Sequence, residues 1–112
     1  MNAIIIDDER NAILTLTNDL RDYCPQVNVT ATFTKALDAL EYLKAYRPDV
    51  VFLDIDMPVI NGFDFIRTIL TMTQGNCQFH IIFVSAYSEF AVKAFKVNAI
   101  DYLLKPIEPI EL

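Results

Sequence analysis

One segment near the middle of the chain reads VVFLDIDMP, from Val50 to Pro58. Its first four residues are all apolar, and the run ends at Asp54. A short, continuous apolar run of this kind is typical of a strand that is buried on both faces of a sheet. Similar runs lie on either side of it in the chain, at Ala3 to Ile6 and within Phe79 to Val84. The sequence therefore predicts three interior strands.

Stretches with helical spacing separate these runs. Apolar residues recur three or four positions apart in three sets, which are Ile13, Leu16, Leu20 and Tyr23; Leu37, Leu40 and Leu43; and Phe63, Ile66, Ile69 and Leu70. We expect Cys24-Pro25 to end the first helix, Thr34 to cap the second, and the third to finish near Gly75. A short fourth helix is predicted from Glu89 to Lys96.

Two further segments have the character of edge strands. Val27 to Thr32 alternates apolar and polar residues, and Asp101 to Leu104 is short and halted by Pro106. Strands that alternate with helices predict an α/β fold, with a parallel sheet, right-handed crossovers and helices on both faces. Apolar strands in the middle fit the sheet order 2-1-3-4-5. In such sheets ligands bind beyond the carboxyl ends of the strands, where the first and third strands lie side by side.

Composition excludes several classes of protein. The 112 residues allow one compact domain and carry a net charge of −6, which argues against nucleic-acid binding by this segment. Although 54% of the residues are hydrophobic, the longest strongly apolar runs have four residues, whereas a membrane-spanning helix needs about 20. Asp7 and Asp8 interrupt the first apolar run where a signal peptide would continue, so we expect a cytoplasmic protein.

Polar residues follow the predicted strands at their carboxyl ends. They are Asp7 and Asp8 after the first strand, Asp54 after the third, Ser85 after the fourth and Lys105 after the fifth. Because these ends meet at one edge of a parallel sheet, we expect the side chains to converge. Three carboxylates there repel one another unless a cation lies among them. Mg²⁺ is the natural candidate, since it takes hard oxygen ligands and typically uses one or two carboxylates together with phosphoryl oxygens.

The same residues are suited to accepting a phosphoryl group. Asp54 is the best candidate for the nucleophile, because it ends the central apolar strand beside the expected metal. The backbone carbonyl of Asp56 could complete the metal shell. Lys105 could reach the phosphoryl oxygens as a point charge, and Ser85 could donate a hydrogen bond to another oxygen.

Together these residues resemble the receiver domains of two-component response regulators. The resemblance covers essentially the whole chain and rests on Asp7-Asp8, Asp54-Ile55-Asp56-Met57-Pro58 with Gly62 beyond it, Val84-Ser85-Ala86 and Lys105-Pro106. It implies a flavodoxin-like, doubly wound sheet of five parallel strands. The run from Ser85 to Pro106 further resembles the LytTR (LytR/AlgR-type) subgroup, whose receivers usually precede a DNA-binding domain.

The resemblance implies a phosphorylation-activated switch rather than an enzyme, with at most self-phosphorylation from small donors and self-dephosphorylation. Asp54 would accept the phosphoryl group from a sensor histidine kinase, and Ser85 and Lys105 would contact that group. Mg²⁺, with Mn²⁺ as a substitute, would be held by Asp7, Asp8, Asp54 and the backbone carbonyl of Asp56.

The resemblance also implies how the switch moves. Ser85 would shift toward the phosphoryl group and Tyr102 would rotate inward, which remodels the face formed by the fourth helix and fifth strand. Asp56 and Tyr87 would tune the lifetime of the phosphorylated state. The Lys105-Pro106 peptide bond is expected to be cis, which costs an X-Pro bond little.

A second class shares part of this pattern. Asp54-Ile55-Asp56 also resembles the haloacid-dehalogenase phosphatases, in which the first aspartate is the nucleophile and the second an acid/base, and Ser85 and Lys105 fit the later motifs of that class. The chain lacks the further acidic motif that should follow the lysine, and it leaves no room for a cap. We therefore rank this alternative well below the receiver.

The end of the chain carries a further expectation. A complete receiver has a fifth helix, whereas only Ile107 to Leu112 follow the last strand and its Lys105-Pro106, so we expect residues 1–112 to be one receiver domain truncated at its C-terminus. The output domain would be absent from this chain and would carry any DNA contact. Apolar surface left uncovered favours a homodimer through the face of the fourth helix and fifth strand.

Overall fold

The computed structural model describes residues 1–55, 57, 60–72, 79–85 and 101–104, with the backbone alone described at Phe63, Ser85 and residues 101–104. In chain order the elements are β1 (Asn2–Ile6), α1 (Arg10–Tyr23), β2 (Asn28–Phe33), α2 (Ala36–Ala45), β3 (Val50–Asp54), α3 (Gly62–Met72), β4 (His80–Ser85) and β5 (Asp101–Leu104). The five strands form one parallel sheet in the order β2-β1-β3-β4-β5. The predicted α/β fold and strand order are confirmed.

The central positions of the interior strands are all apolar because helices cover both faces of the sheet. In β3, Val51 and Leu53 pack into the core on the side of α2 and α3. Val50 and Phe52, which point the other way, pack with α1. Side chains alternate between the two faces of a strand, so burial on both faces requires a continuous apolar run.

The outer strand β2 has a different pattern. Its residues alternate between exposed and half-buried positions along Asn28–Phe33, as expected for an edge strand. The register with β1 shifts between Ala3 and Ile4. At this irregularity the hydroxyl of Thr30 donates a hydrogen bond of 3.3 Å to the carbonyl of Ala3.

The helices differ from prediction in which residues they bury. Tyr23 and Leu37 were expected on the apolar faces of α1 and α2, but they are 59% and 57% exposed. Leu70 of α3 is also mostly outside the core, at 39% exposed. In α2 the predicted Leu40 and Leu43 are buried, but Ala36 and Ala39 complete the buried stripe in place of Leu37. A prediction based on the spacing of large apolar residues does not select these two alanines.

The helix ends agree with prediction in part. The first helix ends at Tyr23, where the amide of Cys24 donates to the carbonyl of Leu20. The prediction that Thr34 caps α2 was wrong, because Lys35 occupies the N-cap and makes no side-chain capping bond. No described helix is both long enough and apolar enough to cross a bilayer. The predicted fourth helix and the chain beyond Leu104 lie outside the described residues.

Candidate functional site

Three carboxylates meet at the carboxyl edge of the sheet. Ile6 and Leu53 are partners in the β1–β3 register, so Asp7 and Asp54 follow side by side. One carboxylate oxygen from each of Asp7, Asp8 and Asp54 lies within 4.8 Å of the other two. Asp7 and Asp54 are only 4% and 5% exposed, whereas Asp8 is open to solvent. The parallel topology thus brings together the three acidic residues that sequence analysis selected.

Asp7 is held in place by two backbone hydrogen bonds. Its amide donates to the carbonyl of Phe33 at the end of β2, at 3.0 Å. Its carboxylate oxygen Oδ1 accepts a hydrogen bond of 3.0 Å from the amide of Glu9. This second bond supports the turn into α1, and it also fixes the direction of the carboxylate. A role for Asp7 in the turn alone would not explain why the carboxylate of Asp54, which belongs to another strand, lies close to it.

The loop after β3 is anchored on both sides of position 56. The side chains of Ile55 and Met57 are 2% and 7% exposed and lie in the core beneath α2 and α3. The carbonyl of Ile55 accepts hydrogen bonds from the amides of Met57 at 3.1 Å and Gly62 at 2.8 Å. These contacts hold the main chain that follows Asp54. Sequence analysis did not assign a role to Ile55 or Met57. The available signal was that both are apolar and flank Asp56, which is typical of a loop anchored in the core.

A cavity of about 250 Å³ lies beside the carboxylates, between the strand ends and α1. Asp7 and Asp54 line one part of it, and the apolar side chains of Leu16, Phe52 and Val84 line another. Although Asp54 is almost fully buried, its side chain therefore borders a space that a small group can enter.

The donor set fits a hard divalent cation. Ligands of one octahedral Mg²⁺ lie about 3 Å apart when adjacent and about 4.2 Å apart when opposite, given bonds of about 2.1 Å. The three carboxylate oxygens lie within 4.8 Å of one another. Because at most one pair among three octahedral ligands is opposite, the remaining pairs must approach to about 3 Å, which is a contraction of up to about 2 Å. All three donors are carboxylate oxygens, which Mg²⁺ and Mn²⁺ prefer to the nitrogen and sulfur ligands of zinc sites.

The remaining predicted site residues are described only in part. The backbone of Ser85 ends β4, one position beyond Val84, which pairs with Asp54. Tyr102 lies in β5 opposite Phe83. Both therefore lie on strands next to or near β3. Asp56, Tyr87, Lys105 and Pro106 lie outside the described residues, and so does the predicted cis peptide bond.

Comparison with known proteins agrees with this geometry. The family model of the response regulator receiver domain matches residues 3–112. An uncharacterized response regulatory protein of Vibrio parahaemolyticus is 39% identical over 112 residues, which is 100% of this chain and 44% of that protein. The sensory transduction protein LytT of Enterococcus faecalis is 35% identical over 108 residues, covering 96% of this chain and 43% of LytT.

Among solved structures, the response regulatory domain of protein mrkE from Klebsiella pneumoniae superposes with a TM-score of 0.86 at 32% identity, covering 99% of this chain and 88% of that chain. The chain spans less than half the length of the curated relatives it matches. The family match favours the receiver over the phosphatase alternative.

Proposed function

The chain belongs to the response regulator receiver domain family, and from this premise we propose that Asp54 is the residue that accepts the phosphoryl group. The family works by phosphorylation-dependent signalling, as a switch rather than as a classical enzyme. One observation carries the assignment to Asp54: its buried carboxylate meets Asp7 and Asp8 at the carboxyl edge of the sheet.

The acidic cluster is the proposed site for Mg²⁺, with Mn²⁺ as a substitute. Asp7, Asp8 and Asp54 would supply carboxylate oxygens, and Asp56 would supply its backbone carbonyl. Bound there, the ion would neutralise negative charge on the phosphoryl oxygens, which is the main catalytic requirement of phosphoryl transfer. The burial of Asp7 and Asp54 supports this role, because buried carboxylates at such close range repel one another strongly when no cation is present.

The proposed reaction is a displacement at phosphorus. A carboxylate oxygen of Asp54 forms a bond to phosphorus while the bond from phosphorus to the donor breaks, and Asp54 becomes an aspartyl phosphate. Lys105 and Ser85 would contact the transferred oxygens. Ser85 and Tyr102 would then move as the switch, and Asp56 and Tyr87 would set how long the aspartyl phosphate survives.

The partners of this site are also proposals. The donor would be a phosphohistidine of a sensor histidine kinase in the cytoplasm. Because the chain covers 44% and 43% of two of its curated relatives, the signal would pass in the whole protein to an output domain, with transcription regulation as its function. The face formed by the fourth helix and fifth strand would carry the signal and could mediate a homodimer. Any contact with DNA would belong to the output domain, and we expect the receiver domain to bind neither nucleic acid nor membrane.

Incubation with acetyl phosphate and Mg²⁺, followed by intact mass spectrometry, tests the proposal. We expect the protein to gain about 80 Da, the mass of one phosphoryl group. The gain should be lost on exposure to base, as an acyl phosphate requires, and it should be absent without a divalent cation. Asp54→Asn should remove it.

Asp38→Asn provides the matched control, because Asp38 is an exposed aspartate on α2. This variant should be phosphorylated like the unmodified protein. Persistent labelling of Asp54→Asn would contradict the assignment. Steady hydrolysis of a phosphomonoester without any adduct would instead favour the phosphatase.

A further inference from the structure

Gly62, the first residue of α3, lies directly against the main chain of the proposed phosphoacceptor. A Cβ atom at this position would be 2.8 Å from the carbonyl oxygen of Asp54 and 2.9 Å from the Cα of Ile55. It would also be 3.2 Å from Cε1 of Phe83. The first two distances are shorter than non-bonded carbon contacts allow, since such contacts are optimal at about 3.5–4.0 Å.

The atoms that a Cβ would meet have little freedom to move away. Two of them belong to the backbone at the end of β3, and they cannot rotate aside as a side chain would. Phe83 is fully buried and Ile55 is 2% exposed. The amide of Gly62 also donates to the carbonyl of Ile55 at 2.8 Å. This hydrogen bond holds the start of α3 and the end of β3 together at the distance that excludes a side chain.

Backbone conformation does not explain the glycine. The φ angle of Gly62 lies outside the left-handed range that other residues avoid. An alanine could therefore adopt the same backbone angles, and on conformational entropy alone it would stabilise a helix. Space, rather than conformation, makes glycine necessary here.

We propose that Gly62 is a positioning residue for Asp54. Because Gly62 has no side chain, the start of α3 can lie against the main chain of Asp54 and so fix the position of the Asp54 carboxylate. The inference rests on the proposed function and adds to it a residue that touches no reacting atom. The same contact reaches Phe83, which precedes Ser85 by two positions on β4. The start of α3 at Gly62 therefore also packs against a side chain of β4.

The test compares Gly62→Ala with Ile69→Val in the 112-residue protein. Ile69 lies in the same helix and is 1% exposed, so its substitution weakens α3 packing without touching Asp54. We expect Gly62→Ala to weaken Mg²⁺ binding, measured by calorimetry with the metal alone, by roughly tenfold, and to slow phosphorylation by acetyl phosphate by a similar factor. Ile69→Val should leave both values unchanged.

Hydrogen exchange supplies a measurement that does not depend on activity. The amide at position 62 and the amide of Met57 both donate to Ile55. Both should exchange faster in Gly62→Ala than in Ile69→Val when the metal is absent. Equal exchange in the two variants, or equal Mg²⁺ affinity, would overturn the positioning role.

A double variant separates stability from positioning. Phe83→Leu in the Gly62→Ala background removes the ring contact but leaves the two backbone contacts. It should recover part of the thermal stability while Mg²⁺ affinity stays low, and full recovery of both would contradict the inference. If the unmodified protein takes up no phosphoryl group, the proposed function fails on its own, and the exchange rates still decide whether Gly62 holds the loop.

Discussion

Asp7 and Asp8 are adjacent in the chain but lie in different environments. Asp7 is buried, and its carboxylate accepts a hydrogen bond from the amide of Glu9. Asp8 is exposed and extends the cluster toward solvent. The two residues therefore differ in how firmly they are held: Asp7 is tied to the turn before α1, whereas the carboxylate of Asp8 faces solvent.

Replacement of Asp8 should have opposite effects on stability and on metal binding. Two like charges about 5 Å apart near a protein surface repel by a few kcal/mol at most, and solvent screening reduces this to about 1 kcal/mol. Asp8→Asn removes that repulsion, so without divalent ions its free energy of unfolding should rise by about 1 kcal/mol. Urea titration measures this change.

In saturating Mg²⁺ the unmodified protein should have the higher free energy of unfolding. Asp8→Asn lacks one ligand, so the bound ion stabilises it less. Glu41→Gln is the control, since Glu41 is exposed and forms a surface ion pair with Lys44. It should stay within about 0.5 kcal/mol of the unmodified protein in both conditions. A fall in stability of Asp8→Asn without metal would show that repulsion is not the dominant effect.

At the scale of elements, α2 contains a matched pair of leucines. Leu40 is 8% exposed and packs in the core over the sheet, whereas Leu37 is 57% exposed. Leu40→Ala should lower the free energy of unfolding by about 2–4 kcal/mol, because it removes buried apolar surface and leaves a cavity. Leu37→Ala should change it by less than about 0.5 kcal/mol. Chemical denaturation of the two variants checks the difference, and equal losses would contradict the observed helix orientation.

Whether each described element is a strand or a helix could be predicted from the sequence. Which face of each helix is buried could be predicted less accurately. Continuous apolar runs identify β1, β3 and β4, since burial on two faces leaves no polar position. In α2 the buried stripe depends on Ala36 and Ala39, whose small side chains carry little hydrophobic signal. Whether such a residue is buried depends on how closely the helix approaches the sheet, which is a property of tertiary packing.

At the scale of the whole molecule, Mg²⁺ should stabilise the fold. A ligand that binds only the folded state at ten times its dissociation constant adds about 1.4 kcal/mol. For a domain of this size that corresponds to a rise of about 5 °C in melting temperature. Differential scanning calorimetry with MgCl₂, compared with NaCl at the same ionic strength, measures it. The rise should be much smaller in Asp8→Asn, and an equal rise with NaCl would indicate general screening.

The acidic residues of the candidate site could be predicted more completely than the buried faces of the helices. Asp54 is far in sequence from the adjacent Asp7 and Asp8, and only the parallel topology makes it their neighbour. Once alternating strands and helices predict that topology, their meeting follows. The loop is anchored by Ile55, Met57 and Gly62 through specific interatomic distances, and a pattern of residue types does not specify distances. Sequence analysis therefore found the carboxylates but not the contacts that position them.

The central claim is that Asp54, within the cluster with Asp7 and Asp8, carries the phosphoryl group. The most direct measurement is to treat the protein with acetyl phosphate and Mg²⁺, reduce it with borohydride, and sequence its peptides by tandem mass spectrometry. Borohydride converts an aspartyl phosphate to homoserine and so marks the acceptor permanently. We predict homoserine at position 54 and at no other aspartate. Homoserine at Asp7 or Asp8 instead, or at no position, would contradict the account.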